Sequence, residues 1–419
     1  MTASMDLAGW LAWLEHLHPS AMELGLDRIG RVAARLGVDA PQVPVITVAG
    51  TNGKGSVCAL AEAILGAGGY RVGCYTSPHL ARFSERVRVA GEPVSDARLC
   101  TAFSAVDGAR GDTRLTFFEF TTLGALAVFR ALEVDVLVLE VGLGGRLDAT
   151  NVVAPDAAVV TSIGVDHAEW LGEDRDAIAH EKAGIARRGR PLVSGSTDAP
   201  AGLEAAARAI GADLRTRPAD FDYEPHTDDW DWHGVGHVYS GLPRPAVMAG
   251  YQLENAATAL MALAAAGFLP SQKAVATGLR AAHVPGRFER WSGAGPETVL
   301  DVAHNPDAAA ALAQTLAARP AAGRTLAVLG MYHDKDVAGV VGALAEAVAT
   351  WVAAGLPPPR GRTANELAAA MAAAGVMPVA EAPDPQAGWG LACARASPDD
   401  RIVVLGSFAT VAHLKALSL

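Results

Sequence analysis

An α/β fold in two domains is predicted by three observations. A β-branched run at Val43–Ala49 ends in a glycine-rich loop and passes into helical periodicity. Later strand candidates, Val134–Glu140 and Ala157–Val165, are too uniformly apolar to have a wet face, as strands covered on both sides are. Between Thr216 and Pro245 aromatic and polar residues alternate, and then strands and alanine-rich helices resume. The expected architecture is an N-terminal, mostly parallel sheet domain of P-loop type with a small antiparallel β section, residues 1–284, followed by a smaller Rossmann-like α/β domain, residues 285–419.

The elements follow in order. The first forty residues read as amphipathic helix, with Leu7, Trp10, Leu11 and Leu14 on one face. Val43–Ala49 is a strand, and Ser56–Gly68 a helix stopped by Gly68-Gly69. Arg71–Tyr75 is a strand candidate and Phe118–Ala131 a helix, before the two apolar strands and a weaker one at Pro191–Ser194. Strands alternating with helices imply a parallel sheet covered on both sides. Phe221, Tyr223, Trp230, Trp232 and Tyr239 mark short antiparallel strands, followed by a helix from about Asn255 to Ala266. Pro285-Gly286 reads as a hinge, and Thr298–Val302, Thr325–Leu329 and Arg401–Leu405 as strands of the second domain. No internal repeat is visible.

Bulk composition narrows the class. Hydrophobic residues at 51% against 19% charged describe a well-buried globular chain and exclude a disordered one. The net charge of -11 argues against nucleic-acid binding by general attraction. Cys58, Cys74, Cys100 and Cys393 form no CxxC pair and read as reduced thiols. No leader-like segment and no apolar run of membrane-spanning length is seen, so a cytoplasmic location without membrane contact is expected.

Chemistry first enters at Gly50-Thr51-Asn52-Gly53-Lys54-Gly55-Ser56. Amides of a glycine-rich turn at a helix N-terminus form an anion site, a lysine there reaches outer phosphates, and a hydroxyl can approach magnesium. The general pattern G-x4-G-K-S/T is not met, because Val48 stands where its first glycine belongs and Gly55 displaces the hydroxyl to Ser56. Three polar residues stand at strand ends. Glu140 closes an apolar strand, Ser77 follows Arg71–Tyr75, and His167 follows Ala157–Val165. An oxygen-rich set with one imidazole at the carboxyl edge of a parallel sheet suits a magnesium ion shared with a nucleotide.

The loop resembles the short P-loop of the Mur ligase superfamily, in its folylpolyglutamate synthase and dihydrofolate synthase branch. The resemblance recurs at Tyr75-Thr76-Ser77-Pro78-His79-Leu80, at Glu140 through Asn151, at Glu181-Lys182-Ala183-Gly184-Ile185 and at Asp301-Val302-Ala303-His304-Asn305-Pro306. It implies an ATP-dependent ligase that adds L-glutamate to 7,8-dihydropteroate and to the γ-carboxylate of reduced folates through an acyl phosphate. By the same resemblance Thr51, Asn52, Gly53, Lys54, Gly55, Ser56, Asn255, Arg287 and Asp301 contact ATP. Ser77, Glu140 and His167 hold magnesium. Lys182, which sequence alone would read as a solvated charge, is carbamylated to help hold a second ion. Glu23, Leu24, Gly25, Thr116, Leu147, Asp148 and Ala149 meet the pterin-bearing substrate. Of these, Asp148 is preferred on its own position, since a glycine-rich loop gives little support for a buried structural role. His304 and Ser407 would orient glutamate, with helix capping as their alternative, and the second domain should close over the nucleotide. Lys54, Lys182, His167 and His304 are the candidate catalytic residues. A monovalent cation such as K+ is left open, and a monomer is expected.

Three other readings stand beside this one. A monofunctional folylpolyglutamate synthase shares these motifs. A peptidoglycan Mur ligase needs a UDP-binding domain before the loop, for which the 49 residues preceding Gly50 are too few. A nucleotide-switched binding protein would need the loop and the metal ligands, but neither Asp148 nor a glutamate pocket.

Overall fold

In chain order the strands of the first sheet are Val45–Ala49 (β1), Val72–Tyr75 (β2), Val87–Val89 (β3), Glu92–Pro93 (β4), Val136–Glu140 (β5), Ala157–Val160 (β6), Pro191–Ser194 (β7) and Asp213–Thr216 (β8). They lie in the order β4-β3-β2-β5-β1-β6-β7-β8, with β3 and β4 antiparallel at one edge and the remainder parallel. The computed structural model describes residues 5–18, 23–246, 250–291 and 295–416. Among them no helix is long and apolar enough to cross a membrane.

The uniform apolarity of β1 and β5 follows from burial on both faces. Ile46, Val48, Val136 and Val138 join the cluster built on Val57, Leu60 and Ile64 of the helix Lys54–Ala67. Val45, Leu137 and Leu139 join the opposite cluster, which holds Phe103, Phe120 and Phe129. The two strands pair with Val48 opposite Glu140. That register sets a carboxylate beside the end of the strand from which the glycine loop departs, at the sheet edge where parallel α/β folds bind ligands.

Two expectations change in the first ninety and the middle residues. The N-terminal helical stretch is two helices, Leu7–Leu14 and Asp27–Leu36, and residues 19–22 between them lie outside the described residues. The strand expected over Ala157–Val165 stops at Val160. Beyond it, polar groups of Thr161, Ser162 and Gly164 bond to the glycine loop, so the segment serves the loop instead of the ladder.

The aromatic alternation forms a three-stranded antiparallel sheet of Phe221–Pro225 (β9), Asp229–Gly234 (β10) and His237–Pro243 (β11), with Trp230 and Trp232 fully buried. The last sheet comprises Glu289–Trp291 (β12), Glu297–Leu300 (β13), Thr325–Leu329 (β14), Thr350–Ala354 (β15), Ala380–Ala382 (β16) and Arg401–Leu405 (β17). Its order is β12-β13-β17-β14-β15-β16, parallel except for β12. The chain divides into two compact units. The first takes Met1–His79, Phe83–Ala246 and Leu253–Ala282, and the second takes Leu80–Arg82, Val247–Gln252 and His283–Leu419.

Candidate functional site

The glycine loop is held from below by residues more than a hundred positions away. The Thr51 amide donates to the Ser162 carbonyl at 2.8 Å, and the Asn52 amide to Ser162 Oγ at 2.9 Å. Thr161 Oγ1 donates to the Asn52 carbonyl at 2.6 Å. Gly50 has φ +150°, and a Cβ there would lie 1.8 Å from Thr161 Oγ1, so a side chain is excluded. Gly53 has φ +90° at the start of the helix Lys54–Ala67, and a Cβ on it would lie 2.5 Å from Asn255 Oδ1. Asn255, on the helix Gln252–Ala265, therefore packs directly behind the loop. Lys54 opens the fourteen-residue helix, where backbone N–H groups lack intrahelical partners. Its Nζ donates to the carbonyls of Gly50 at 2.9 Å and Thr51 at 3.2 Å.

Glu140 meets this loop. A Cβ on Gly55 would stand 3.6 Å from Glu140 Oε1, and Glu140 Oε2 accepts the Ser77 amide at 2.9 Å. Ser77 and Glu140 are thus brought together at the phosphate loop. His167 sits in a left-handed turn, φ +53°, before the short helix Ala168–Leu171, its amide donating to Asp166 Oδ1 at 2.8 Å. Asp166 and Lys54 both act electrostatically on Lys182, which links the His167 turn to the same neighbourhood. Among the described residues no group of three His, Cys, Asp or Glu side chains is gathered to hold a metal alone. The Glu140 carboxylate at the phosphate loop, beside Ser77, fits a hard cation whose shell is completed by phosphate oxygen or water.

Lys182 was the least conspicuous candidate in the sequence. It lies in the last turn of the helix Arg175–Ala183 and is only 3% exposed. Burial, reinforced by the charge of Lys54 and opposed by Asp166, lowers its pKa to about 7. The solvated-charge reading of this lysine is corrected by that burial. Its helix is locked against the loop after β5. A Cβ on Gly145 would lie 2.9 Å from the Glu181 carbonyl, and one on Gly184 would lie 2.3 Å from Arg146 Cβ. Arg146 donates from Nε and Nη2 to Glu181 Oε1 at 2.9 and 2.7 Å, and Asn151 Nδ2 donates to the Arg146 carbonyl at 2.8 Å. The glycines of both motifs are required by this close approach.

Asp148 departs from expectation. It is 3% exposed, and its carboxylate accepts from the amides of Gly142, Leu143 and Thr150 and from Thr150 Oγ1, at 2.6–3.1 Å. A buried structural role, which the sequence supported little, is thus real: the side chain shapes the loop that carries Leu147 and Ala149. Burial raises its pKa while these four donors pull it down. Thr116 is buried too, as the cap of the helix Phe117–Ala131, in a capping box with Glu119. Glu119 Oε2 also accepts from Arg28 Nε at 2.9 Å, and Arg28 bonds to both the side chain and the carbonyl of Glu23. The Glu23–Gly25 segment is thereby tied to the helix start at Thr116. Phe118, facing where a Cβ on Gly142 would lie, joins the loop after β5 to the same helix. Arg28 escaped sequence reading because its value lies in two contacts, one of them 91 positions away.

In the second unit Asp301, at the end of β13, accepts the amides of Phe288 and Ala303, both at 2.8 Å, and burial raises its pKa. The charge of Arg287 opposes that rise, so the two are neighbours. The Arg287 guanidinium lies 5.3 Å from the ring of Phe408, and the His304 ring lies 6.4 Å from the same ring. His304 Nδ1 bonds to the Val302 carbonyl at 2.8 Å; the cap of the next helix, Pro306–Ala318, is Asn305. Capping is therefore not the task of His304. It is that of Ser407, which caps Phe408–Lys415 by accepting from the Thr410 amide. Tyr251, unremarked in the sequence, is felt by both Asp301 and Arg287, and burial raises its pKa.

The chain as a whole is similar to known proteins. A model of the Mur ligase middle domain matches residues 48–193, and one of the Mur ligase glutamate ligase domain matches residues 286–408. The chain is 46% identical over 413 residues to a dihydrofolate synthase/folylpolyglutamate synthase of Escherichia coli (strain K12), covering 98% of this chain and 95% of the relative. Among solved structures, E. coli FolC in complex with DHPP and ADP superposes with a TM-score of 0.94 at 44% identity, covering 100% of this chain and 99% of that one. A bifunctional folylpolyglutamate synthase/dihydrofolate synthase with Mn, AMPPNP and L-glutamate bound superposes at 0.91 with 45% identity, covering 99% and 98%.

Proposed function

The chain belongs to the Mur ligase family, in its dihydrofolate synthase/folylpolyglutamate synthase branch, and from that membership we propose how its residues carry the reaction. It is an ATP-dependent carboxylate–amine ligase. It adds L-glutamate to 7,8-dihydropteroate, forming dihydrofolate, and to the γ-carboxylate of tetrahydrofolate and its polyglutamates, by way of an acyl phosphate. ATP and a divalent cation take part. Magnesium as that cation, two ions rather than one, and a monovalent K+ are our proposals, as are a monomeric state and a cytoplasmic location.

The observation that carries the mechanism is the meeting of Glu140, Ser77 and the loop, with Lys54 and Lys182 in one electrostatic neighbourhood. We assign the amides from Thr51 to Ser56 and the Lys54 ammonium to the phosphates of ATP. Ser77, Glu140 and His167 would hold the cation, which when bound neutralises phosphate charge and polarises the transferring group. Asn255 holds the loop and is a further proposed ATP contact, as are Arg287 and Asp301 of the second unit. Lys182, with a pKa of about 7, is neutral in a large fraction at neutral pH, and a neutral amine is the form that adds carbon dioxide. Carbamylation of Lys182 would turn the buried cation beside Lys54 into an anion and relieve the repulsion between them.

For the pterin-bearing substrate we retain Glu23, Leu24 and Gly25, with Leu147 and Ala149 presented by the loop that Asp148 shapes. Thr116 and Asp148 act here by positioning. His304 and the turn capped by Ser407 are assigned to glutamate. Little covalent chemistry falls to these groups; they bring two anions and an amine into line. Assaying one preparation with dihydropteroate and with tetrahydrofolate, each with ATP, magnesium and glutamate, tests the double activity. Glutamylation of both is expected, and glutamylation of tetrahydrofolate alone would reduce the chain to a monofunctional folylpolyglutamate synthase.

A further inference from the structure

Arg86 is a half-buried cation that the mechanism above leaves without an anion. It closes the short 3-10 turn Phe83–Arg86, and its Nε donates to His79 Nδ1 at 2.8 Å. Its guanidinium carbon lies 5.4 Å from the ring centre of Phe83 and 5.9 Å from that of Phe117, so the fork is held by aromatic neighbours. The Tyr75 hydroxyl is a further neutral partner. Among the described residues no carboxylate stands within ion-pair distance of it. Two residues on, Arg88 shows the contrast, paired with Glu62 at 2.7 Å. Burying a guanidinium with no carboxylate in contact is unfavourable, and Glu140 acts on Arg86 only through its field, so a fold that also fixes the orientation of this cation provides for an incoming anion.

The surroundings say which anion. Glu140, whose field reaches Arg86, marks the phosphoryl-transfer side. Phe117 is the first residue of the helix that Thr116 caps, and Phe118 beside it packs on the loop after β5 at Gly142. Arg86 therefore stands in the first unit, between the ligands at the phosphate loop and the segments assigned to the pterin-bearing substrate. We propose that Arg86 binds and orients the reacting carboxylate of the pteroate or folate substrate through its guanidinium fork. This rests on the ligase reading and on those segment assignments. A planar fork matches a carboxylate bidentately and partly neutralises it as it approaches the γ-phosphate. In the step it serves, a carboxylate oxygen forms the new O–P bond, the bond from γ-phosphorus to the bridging oxygen breaks, and ADP leaves with that electron pair. Arg86 stays protonated and transfers nothing.

The test compares dihydropteroate with its carboxamide analogue, in which the benzoate carboxylate is neutral, by titration against the full chain without ATP. Charge-assisted hydrogen bonds of this kind predict that wild type binds the carboxylate about tenfold more tightly. Arg86→Gln should lose that preference and raise KM for dihydropteroate by about the same factor, with KM for ATP and glutamate and the affinity for ADP unchanged. Arg86→Lys should restore part of it, since it keeps the charge without the fork. The proposal is overturned if Arg86→Gln keeps the wild-type preference, or weakens both analogues and ADP together as a folding defect would. A rise in KM for glutamate alone would give the held carboxylate to the amino acid and equally overturn it. Wild type binding neither analogue would remove the ligase reading itself, a result separable from all of these.

Discussion

Lys182 shows how far a single residue's chemistry depends on its surroundings. In the unfolded chain its amine has the usual pKa of 10.5, and in the folded unit about 7. Between those values the unfolded chain binds more protons, so this residue makes stability rise with pH from about 7 towards 10.5, and its destabilising effect is fully present below 7. In carbonate-free buffer without metal, Lys182→Met should therefore melt higher than wild type at pH 6, with the gain shrinking above pH 8, while turnover is lost. A variant that melts lower at pH 6 would show that Lys182 is compensated by a partner. Partial rescue of Lys182→Ala by a short carboxylic acid would support the carbamate, and full activity of that variant without rescue would contradict it. Lys54 is the simpler case. Lys54→Gln should lower kcat by about 10²–10³ by removing a cation from the transferring phosphates, with the fold kept intact. Retention of a normal rate would remove the loop from the chemistry.

At the scale of elements, the glycine loop, the loop after β5 and the helix Arg175–Ala183 form the site by close approach. The sequence showed where these segments lie, because glycine clusters after apolar strands are visible without a structure. It did not show that Thr161 and Ser162 hold the loop, since those hydrogen bonds join positions about 110 apart and cut a strand short. Nor did it show that Thr116, Asp148 and Ser407 are committed to local amides, because Thr, Asp and Ser read alike as caps or ligands. The interlock has a direct test. In Gly184→Ala the new methyl meets Arg146 at 2.3 Å, which should cost about 1–3 kcal/mol and lower activity by displacing Lys182. Gly66→Ala, in the helix Lys54–Ala67 with no atom within 4 Å, should instead stabilise by about 0.5–1 kcal/mol. Thermal melts of the pair that moved in the same direction would deny the interlock.

Across the whole molecule, the sequence conveyed both parallel sheets and the antiparallel section, because burial on two faces leaves a run of apolar residues that alternation does not mimic. It missed the antiparallel edges β3, β4 and β12 and the strands β8, β15 and β16, some of them only two or three residues long and set by their neighbours. Each unit has clusters of its own, Ile46 to Leu263 in one and Phe288 to Leu405 in the other, for example. A ligand that binds only the folded first unit should raise its stability by mass action, by about 2.7 kcal/mol at a hundred times Kd. An unreactive ATP analogue with magnesium should give that gain in wild type and little of it in Lys54→Gln. ADP release measured with and without each co-substrate decides whether the phosphate loop serves a ligase or a nucleotide switch. In a ligase, release should depend on both dihydropteroate and glutamate and match dihydrofolate formed, one for one. ADP release at the same rate in the absence of both would contradict it.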